Sequence, residues 1–259
     1  MKFTLPQLNQ CKKHGWLKCE HLLSELTQAR LPLWVDAIAS DPSADRGSRL
    51  HYYENNGGEI VHCRTERFLD DVEGLKRLLT SGEIIQAVDE LFDEPAVLFK
   101  EKINYKHPGG AGYAAHQDAA AYPYGGKHIT CLVAIDPMMI ENGCLEVANG
   151  EFTELLPRNS KGCIDASLVN NMYWTPIELQ RGSVVFFNSL LPHRSQPNRS
   201  AKPRRALYLT YNPHAEGDHR DAYYREREDL IKEAQGADAN SNVISAIQHF
   251  QGVPVERAS

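Results

Sequence analysis

Residues 96–136 read AVLFKEKINYKHPGGAGYAAHQDAAAYPYGGKHITCLVAID, and this stretch decides the fold. Its apolar residues come in short runs or alternate with polar ones, and Gly, Pro and Asp interrupt the runs. That is the pattern of short extended strands joined by turns. The pattern continues in GCLEV (143–147), GSVVFFN (182–188) and RRALYLTYN (204–212). Successive strands without long helices between them argue against βαβ units and predict an antiparallel sandwich or barrel over 95–212.

On either side of this core the period becomes helical. Leu17, Leu22, Leu23 and Leu26, followed by Trp34, Val35 and Ile38, predict a helical region within residues 4–40. Residues 41–68 are rich in Gly, Asn, Asp and Arg, which predicts loops with short strands able to cover a site. Asp70 and Asp71 precede Val72, Leu75, Leu78 and Leu79, and Ile84, Ile85, Val88 and Leu91 repeat the spacing, so two short helices are expected there. Helical spacing returns in DAYYREREDLIKEA (221–234) and NVISAIQHF (242–250). The expectation is one domain over 1–259: a helical region at 1–94, a strand core at 95–212 and a helical region at 213–259.

Composition narrows the function. The 259 residues are 42% hydrophobic and 24% charged, enough for a large core and too apolar for a disordered chain. A net charge of −6 lacks the basic surplus that nucleic acid or anionic membranes reward, so neither is an expected partner. The first residues carry no apolar signal segment and no stretch is long enough to span a bilayer, which predicts a cytoplasmic location. Cys11, Cys19, Cys63, Cys131, Cys144 and Cys163 form no CxxC pair and read as reduced thiols. HPGGAG at 107–112 lacks the Gly-Lys-Ser/Thr ending of a phosphate loop, and no nucleophile elbow surrounds any serine.

The chemistry starts at His116-Gln117-Asp118, at the end of a predicted strand. Positions i and i+2 of a strand share a face, so His116 and Asp118 can converge on one ion. His193 follows another apolar strand and can supply the third ligand. Two imidazoles and a carboxylate that leave the opposite side open suit Fe(II), which then accepts a chelating cosubstrate and O2. A zinc site is more often closed or built with a third histidine. Arg204 opens the strand after His193, and its planar fork can grip the distal carboxylate of a keto acid such as 2-oxoglutarate. Arg205 competes for that role, because a shift of one residue swaps faces.

His116-Gln117-Asp118 together with His193, Ser195, Asn198, Ser200 and Arg204 in HRSQPNRSAKPRRALYLTY (193–211) resembles the phytanoyl-CoA dioxygenase family of Fe(II)/2-oxoglutarate oxygenases. The resemblance implies a double-stranded β-helix, a jelly roll of the cupin kind, with flanking N- and C-terminal helices. It implies that His116, Asp118 and His193 hold the iron, that Arg204 and Ser195 hold 2-oxoglutarate, and that Tyr122, Thr130 and Asn104 are further cosubstrate contacts. An intact Asp118 favours hydroxylation over chlorination. Within the family, GYAAHQDAAAYPYGGKHITCLVAID (112–136) is most similar to bacterial aminoethylphosphonate hydroxylases.

The substrate is then a small molecule. Lys100, Lys102, Asn104 and Lys106 share one strand face, so at least one cation is expected to look into the barrel, with most of the others on a solvated face. Tyr113, Tyr122 and Tyr124 lie around the metal strand, where aromatic rings can hold an ammonium group. Lys102, Tyr113, Tyr124 and Asn198 are the candidate substrate contacts for a small zwitterion. C1 of 2-aminoethylphosphonate or of an N-methylated analogue is the implied target. Three other readings stay open from sequence: a hydroxylase of another small metabolite or acyl thioester in the same family, a redox-neutral zinc cupin, and a 2-oxoglutarate-binding sensor without catalysis.

Overall fold

A computed structural model describes residues 3–40, 49–122, 124, 126–235 and 244–245. Two sheets form its centre, antiparallel except where Ile244–Ser245 pairs in parallel with Leu50–Asn56. The larger has the strand order β1-β9-β6-β11-β4-β3-β2-β12 and the smaller the order β5-β10-β7-β8. The larger sheet comprises β1 (Trp16–Cys19), β2 (Leu50–Asn56), β3 (Glu59–Glu66), β4 (Ala96–Lys106), β6 (Ile129–Ala134), β9 (Val184–Asn188), β11 (Arg204–Pro213) and β12 (Ile244–Ser245). The smaller comprises β5 (Tyr113–His116), β7 (Leu145–Ala148), β8 (Trp174–Ile177) and β10 (His193–Ser195). This is the expected jelly roll.

Alternation along β11 shows how the sheet separates two environments. Leu207, Leu209 and Tyr211 point outward and join Ile103, Cys131, Val133 and Phe186 in a core shared with the helices. Ala206 and Tyr208 point inward and meet Leu132, Val185 and Phe187 of the same sheet and Leu145, Val147 and Ile177 of the smaller one. The outer face is covered by α2 (Glu25–Ser40), α3 (Glu73–Thr80) and α4 (Glu83–Phe92). α3 and α4 bury Leu75, Leu78, Leu79, Ile84, Ala87 and Val88, each larger residue contributing about 1.5–3 kcal/mol. α1 (Leu5–His14) precedes β1, the short α5 (Ala166–Val169) precedes β8, and α6 (Arg220–Gln235) docks through Arg220 on the fully buried Glu101 of β4, where Tyr224 also bonds.

Three expectations need correction. Leu17 lies on a strand, because Gly15 at φ +76° ends α1 and β1 then pairs with β9. Residues 50–66 form two full strands of the larger sheet, so the region 1–94 is helical only in part. The helix expected over 242–250 falls mostly outside the described residues, and Ile244–Ser245 pairs with β2 as a strand. No helix among the described residues is long and apolar enough to cross a membrane.

Candidate metal and cosubstrate site

His116 ends β5, and Gln117 continues the extended backbone at φ −116° and ψ 124°. Asp118 therefore returns to the same side as His116. His193 begins β10 directly opposite His116 in register. The Nε2 atoms of His116 and His193 stand 3.7 and 3.9 Å from Asp118 Oδ1. One ligand atom from each residue lies within 4.8 Å of the other two, and all three residues are buried. A single ion fits between such donors. Among the described residues no other group of three or more His, Cys, Asp or Glu side chains is arranged this way; His107 and His128 stand outside it.

The donor chemistry also fits. His116 Nδ1 lies 2.7 Å from the Ala114 carbonyl and His193 Nδ1 lies 3.0 Å from that of Leu191. A carbonyl can only accept, so each ring places its proton on Nδ1 and keeps the Nε2 lone pair for a metal. Burial pushes both imidazoles below their ordinary value and keeps them neutral. Burial alone would push the Asp118 carboxyl up, but the ammonium charges of Lys102 and Lys100 outweigh it and hold it below the usual range. Thr130 donates to Asp118 Oδ2 at 3.3 Å and steadies the carboxylate.

Gln117, the middle of the motif, points the other way. Its amide donates to the Leu190 and Glu154 carbonyls at 2.6 and 3.0 Å and accepts from Leu156 N at 2.7 Å. It ties the metal strand to the turn that delivers His193.

Arg204 is 1% exposed and lies on the inner face of β11, beside Lys106 in register. It donates through Nη2 to the Gly143 carbonyl, and its Nε has no partner among the described residues. Lys106 Nζ donates to Ser195 Oγ at 2.8 Å, which turns the serine proton away from the lysine. Gly143 is required here: it sits at φ +71°, and a Cβ would come 2.1 Å from Gln196 O and 2.9 Å from Lys106 Nζ. Arg205 faces outward instead, bound to Asp136 at 2.8 Å and to Asp36, which settles which arginine enters the barrel.

The other candidates divide. Thr130 and Asn104 face the interior, Asn104 with its Oδ1 lacking a partner among the described residues. Tyr122 is buried against Phe99 and lies 4.4 Å from Lys100 Nζ. Tyr113 accepts from Arg64 Nη2 at 3.2 Å. Tyr124 packs at the edge of the Phe99 cluster, its ring 6.2 Å from that of Phe99, and is stacked on His219 with ring planes 21° apart. Asn198 is a correction: its amide donates to the Lys106 and Lys202 carbonyls and accepts from both N and Oγ of Ser200. Nothing remains for a substrate, and the residue shapes the loop before β11.

A second correction concerns the β4 lysines. Lys100, Lys102, Asn104 and Lys106 pair in register with Thr210, Tyr208, Ala206 and Arg204, so all four face the interior rather than solvent. β3 adds Arg64, opposite Asn104, and Glu66, opposite Lys102. Burial brings Lys100 down to about 8, and burial with the charge of Lys100 brings Lys102 down to about 7. Arg64, Glu66 and, from α6, Arg227 escaped the sequence reading. The available signal was the i, i+2 spacing of Arg64 and Glu66 in a segment too polar to read as a buried strand.

A jelly roll with two histidines and a carboxylate across its paired strands, and a buried arginine behind them, defines the class of mononuclear non-haem iron oxygenases. The family model of phytanoyl-CoA dioxygenase (PhyH) matches residues 12–206, and the chain belongs to that family. It is a 2-oxoglutarate-dependent dioxygenase, with Fe(II), 2-oxoglutarate and O2 as its cofactors and cosubstrates. It is 41% identical to methylphosphonate hydroxylase of Gimesia maris over 98% of each chain. It is 39% identical to 2-aminoethylphosphonate dioxygenase of an uncultured bacterium, over 90% of this chain and 91% of that one. The crystal structure of EctD from S. alaskensis with 2-oxoglutarate and 5-hydroxyectoine shares the fold: TM-score 0.68, 17% identity, covering 83% of this chain and 77% of that one.

Proposed function

We propose that this dioxygenase hydroxylates the carbon bonded to phosphorus in a small organophosphonate. The observation that carries the reading is the row of cations on the interior face, Lys100, Lys102 and Arg64 on adjacent strands, close to Asp118 and His193 of the metal group. Buried cations are costly unless an anion meets them, and a phosphonate brings up to two negative charges and three acceptor oxygens. The two phosphonate-oxidising relatives point the same way.

In this reading His116, Asp118 and His193 hold Fe(II), which when bound supplies O2 activation coupled to decarboxylation of 2-oxoglutarate. Arg204 and Ser195 hold the distal carboxylate of 2-oxoglutarate, the arginine through its open Nε and the serine through the proton that Lys106 turns toward the space between them. Thr130 keeps Asp118 oriented. Lys100, Lys102 and Arg64 draw the phosphonate in and set its carbon against the metal. The balance is R–H, O2 and 2-oxoglutarate in, and R–OH, CO2 and succinate out.

The test is succinate release by the Fe(II)-loaded enzyme with methylphosphonate and with 2-aminoethylphosphonate, with phosphorus NMR of the products. The reading expects phosphonate-dependent succinate and a 1-hydroxyalkylphosphonate signal. Absence of both with either substrate refutes it.

A further inference from the structure

Neither the iron nor the phosphonate explains Glu66, which shares this interior with the guanidinium groups of Arg64 and Arg227. It lies at the end of β3, opposite Lys102 on β4 and Leu50 on β2, and is 3% exposed. Its Oε1 meets Arg64 Nη1 at 3.4 Å, the outer limit of a hydrogen bond. Its Oε2 is buried with no donor among the described residues. Arg64 mirrors this: its Nε is buried and has no acceptor there, while Nη2 is spent on the Tyr113 hydroxyl. A tight bidentate Arg–Glu pair would engage both carboxylate oxygens with two nitrogens of the fork. The chain holds the two side chains together yet leaves a donor on one and an acceptor on the other.

An acceptor left open among cations is the complement of a ligand that carries both charges. A phosphonate placed on Arg64, Lys100 and Lys102 sets any substituent on its far carbon in a strongly positive field. An alkyl tail gains nothing from Glu66. An ammonium tail is repelled by the lysines unless a carboxylate receives it, and Glu66 carries the negative charge next to them. The rings of Tyr52 and Tyr113, each with the Arg64 guanidinium over it, line the same region with π faces that also tolerate a cation.

We infer that Glu66 accepts the ammonium group of an aminoalkylphosphonate and so sets the enzyme's preference for 2-aminoethylphosphonate over alkylphosphonates. The inference rests on the phosphonate reading above and assigns one residue to substrate specificity.

The experiment compares kcat/KM of the Fe(II)- and 2-oxoglutarate-supplied enzyme for 2-aminoethylphosphonate, its uncharged isostere propylphosphonate, and methylphosphonate, in the natural protein and in Glu66→Gln. The natural protein is expected to prefer 2-aminoethylphosphonate over propylphosphonate by at least about tenfold, the worth of one buried charged contact. Glu66→Gln is expected to raise KM for 2-aminoethylphosphonate by about 10- to 100-fold while leaving methylphosphonate within about threefold. Equal losses on all three substrates would show that Glu66 only holds the fold, and would overturn the inference. Turnover of methylphosphonate with no preference for the amine would overturn it too, while leaving the phosphonate reading intact. No turnover of any phosphonate by the natural protein would remove both. Should Glu66→Gln fail to fold, the ratio between 2-aminoethylphosphonate and propylphosphonate in the natural protein still decides, because a site of cations alone favours the uncharged tail.

Discussion

Two adjacent arginines illustrate how much one residue position matters in this protein. Arg204 and Arg205 have the same chemistry, yet strand alternation sends Arg204 into the barrel, 1% exposed, and Arg205 outward onto Asp136. Arg204→Ala is expected to raise KM for 2-oxoglutarate by about two orders of magnitude, corresponding to about 3 kcal/mol of charge-assisted binding. Arg205→Ala should leave that KM within about threefold and cost only the modest stability of a partly exposed ion pair. Steady-state titration of 2-oxoglutarate at saturating phosphonate distinguishes them; equal effects would mean that the assignment of the inner arginine fails. Both arginines were visible in the sequence; alternation identifies two faces without saying which is inside, and it was the family pattern starting at His193 that singled out Arg204.

At the scale of elements, the strands long enough to show a period were legible. AVLFKEKINYK coincides with β4, and the apolar runs at 129–134, 184–188 and 204–213 all became strands. β10 has three residues, too few for any period, and β8 contains Pro176, so both were silent. β3 was expected only as a short strand among loops, because Arg64 and Glu66 point into a polar interior and a strand whose buried side is charged is hard to tell from a loop. Gln117 shows what joins these elements, since its three hydrogen bonds lock β5 to the segments at 154–156 and 190. Gln117→Ala leaves two carbonyls and an amide without that partner. It should lower Fe(II) affinity by about 10- to 100-fold, as loss of support around metal ligands does, and lower stability by about 2–3 kcal/mol. Metal titration by competition with a chelator, alongside urea unfolding of the metal-free protein, reads both effects. Unchanged iron affinity with reduced stability would show that the amide braces only the fold.

The whole molecule encloses a set of cations between its two sheets, and this has a consequence for pH. Lys102 falls to about 7 and Lys100 to about 8 from an ordinary 10.5, chiefly through burial. Between those values and 10.5 the unfolded chain binds protons that the folded chain has released, so folding gains stability as pH rises across that window. Below about pH 7 both lysines are charged in the fold, and the gain is gone. Thermal unfolding of the metal-free protein at pH 7, 8 and 9 should therefore show a rise that is smaller in Lys102→Met than in the natural protein. An unchanged slope would mean that Lys102 titrates as an exposed lysine. Bound phosphonate should flatten the rise as well, because an anion keeps the lysines protonated.

Sequence by itself determined the strand-rich core, the convergence of His116 and Asp118, and His193 as the third member of their group, because alternation along one strand is local and the spacing of His193, Ser195 and Arg204 matches a family pattern. Tertiary structure alone decided that Lys100, Lys102, Arg64 and Glu66 share one interior and that Asn198 is consumed by its own loop. The reason is physical. Which residues face each other depends on which strands become neighbours, and β3, β4 and β11 are brought side by side by pairing across long stretches of chain, which no local pattern of residues encodes.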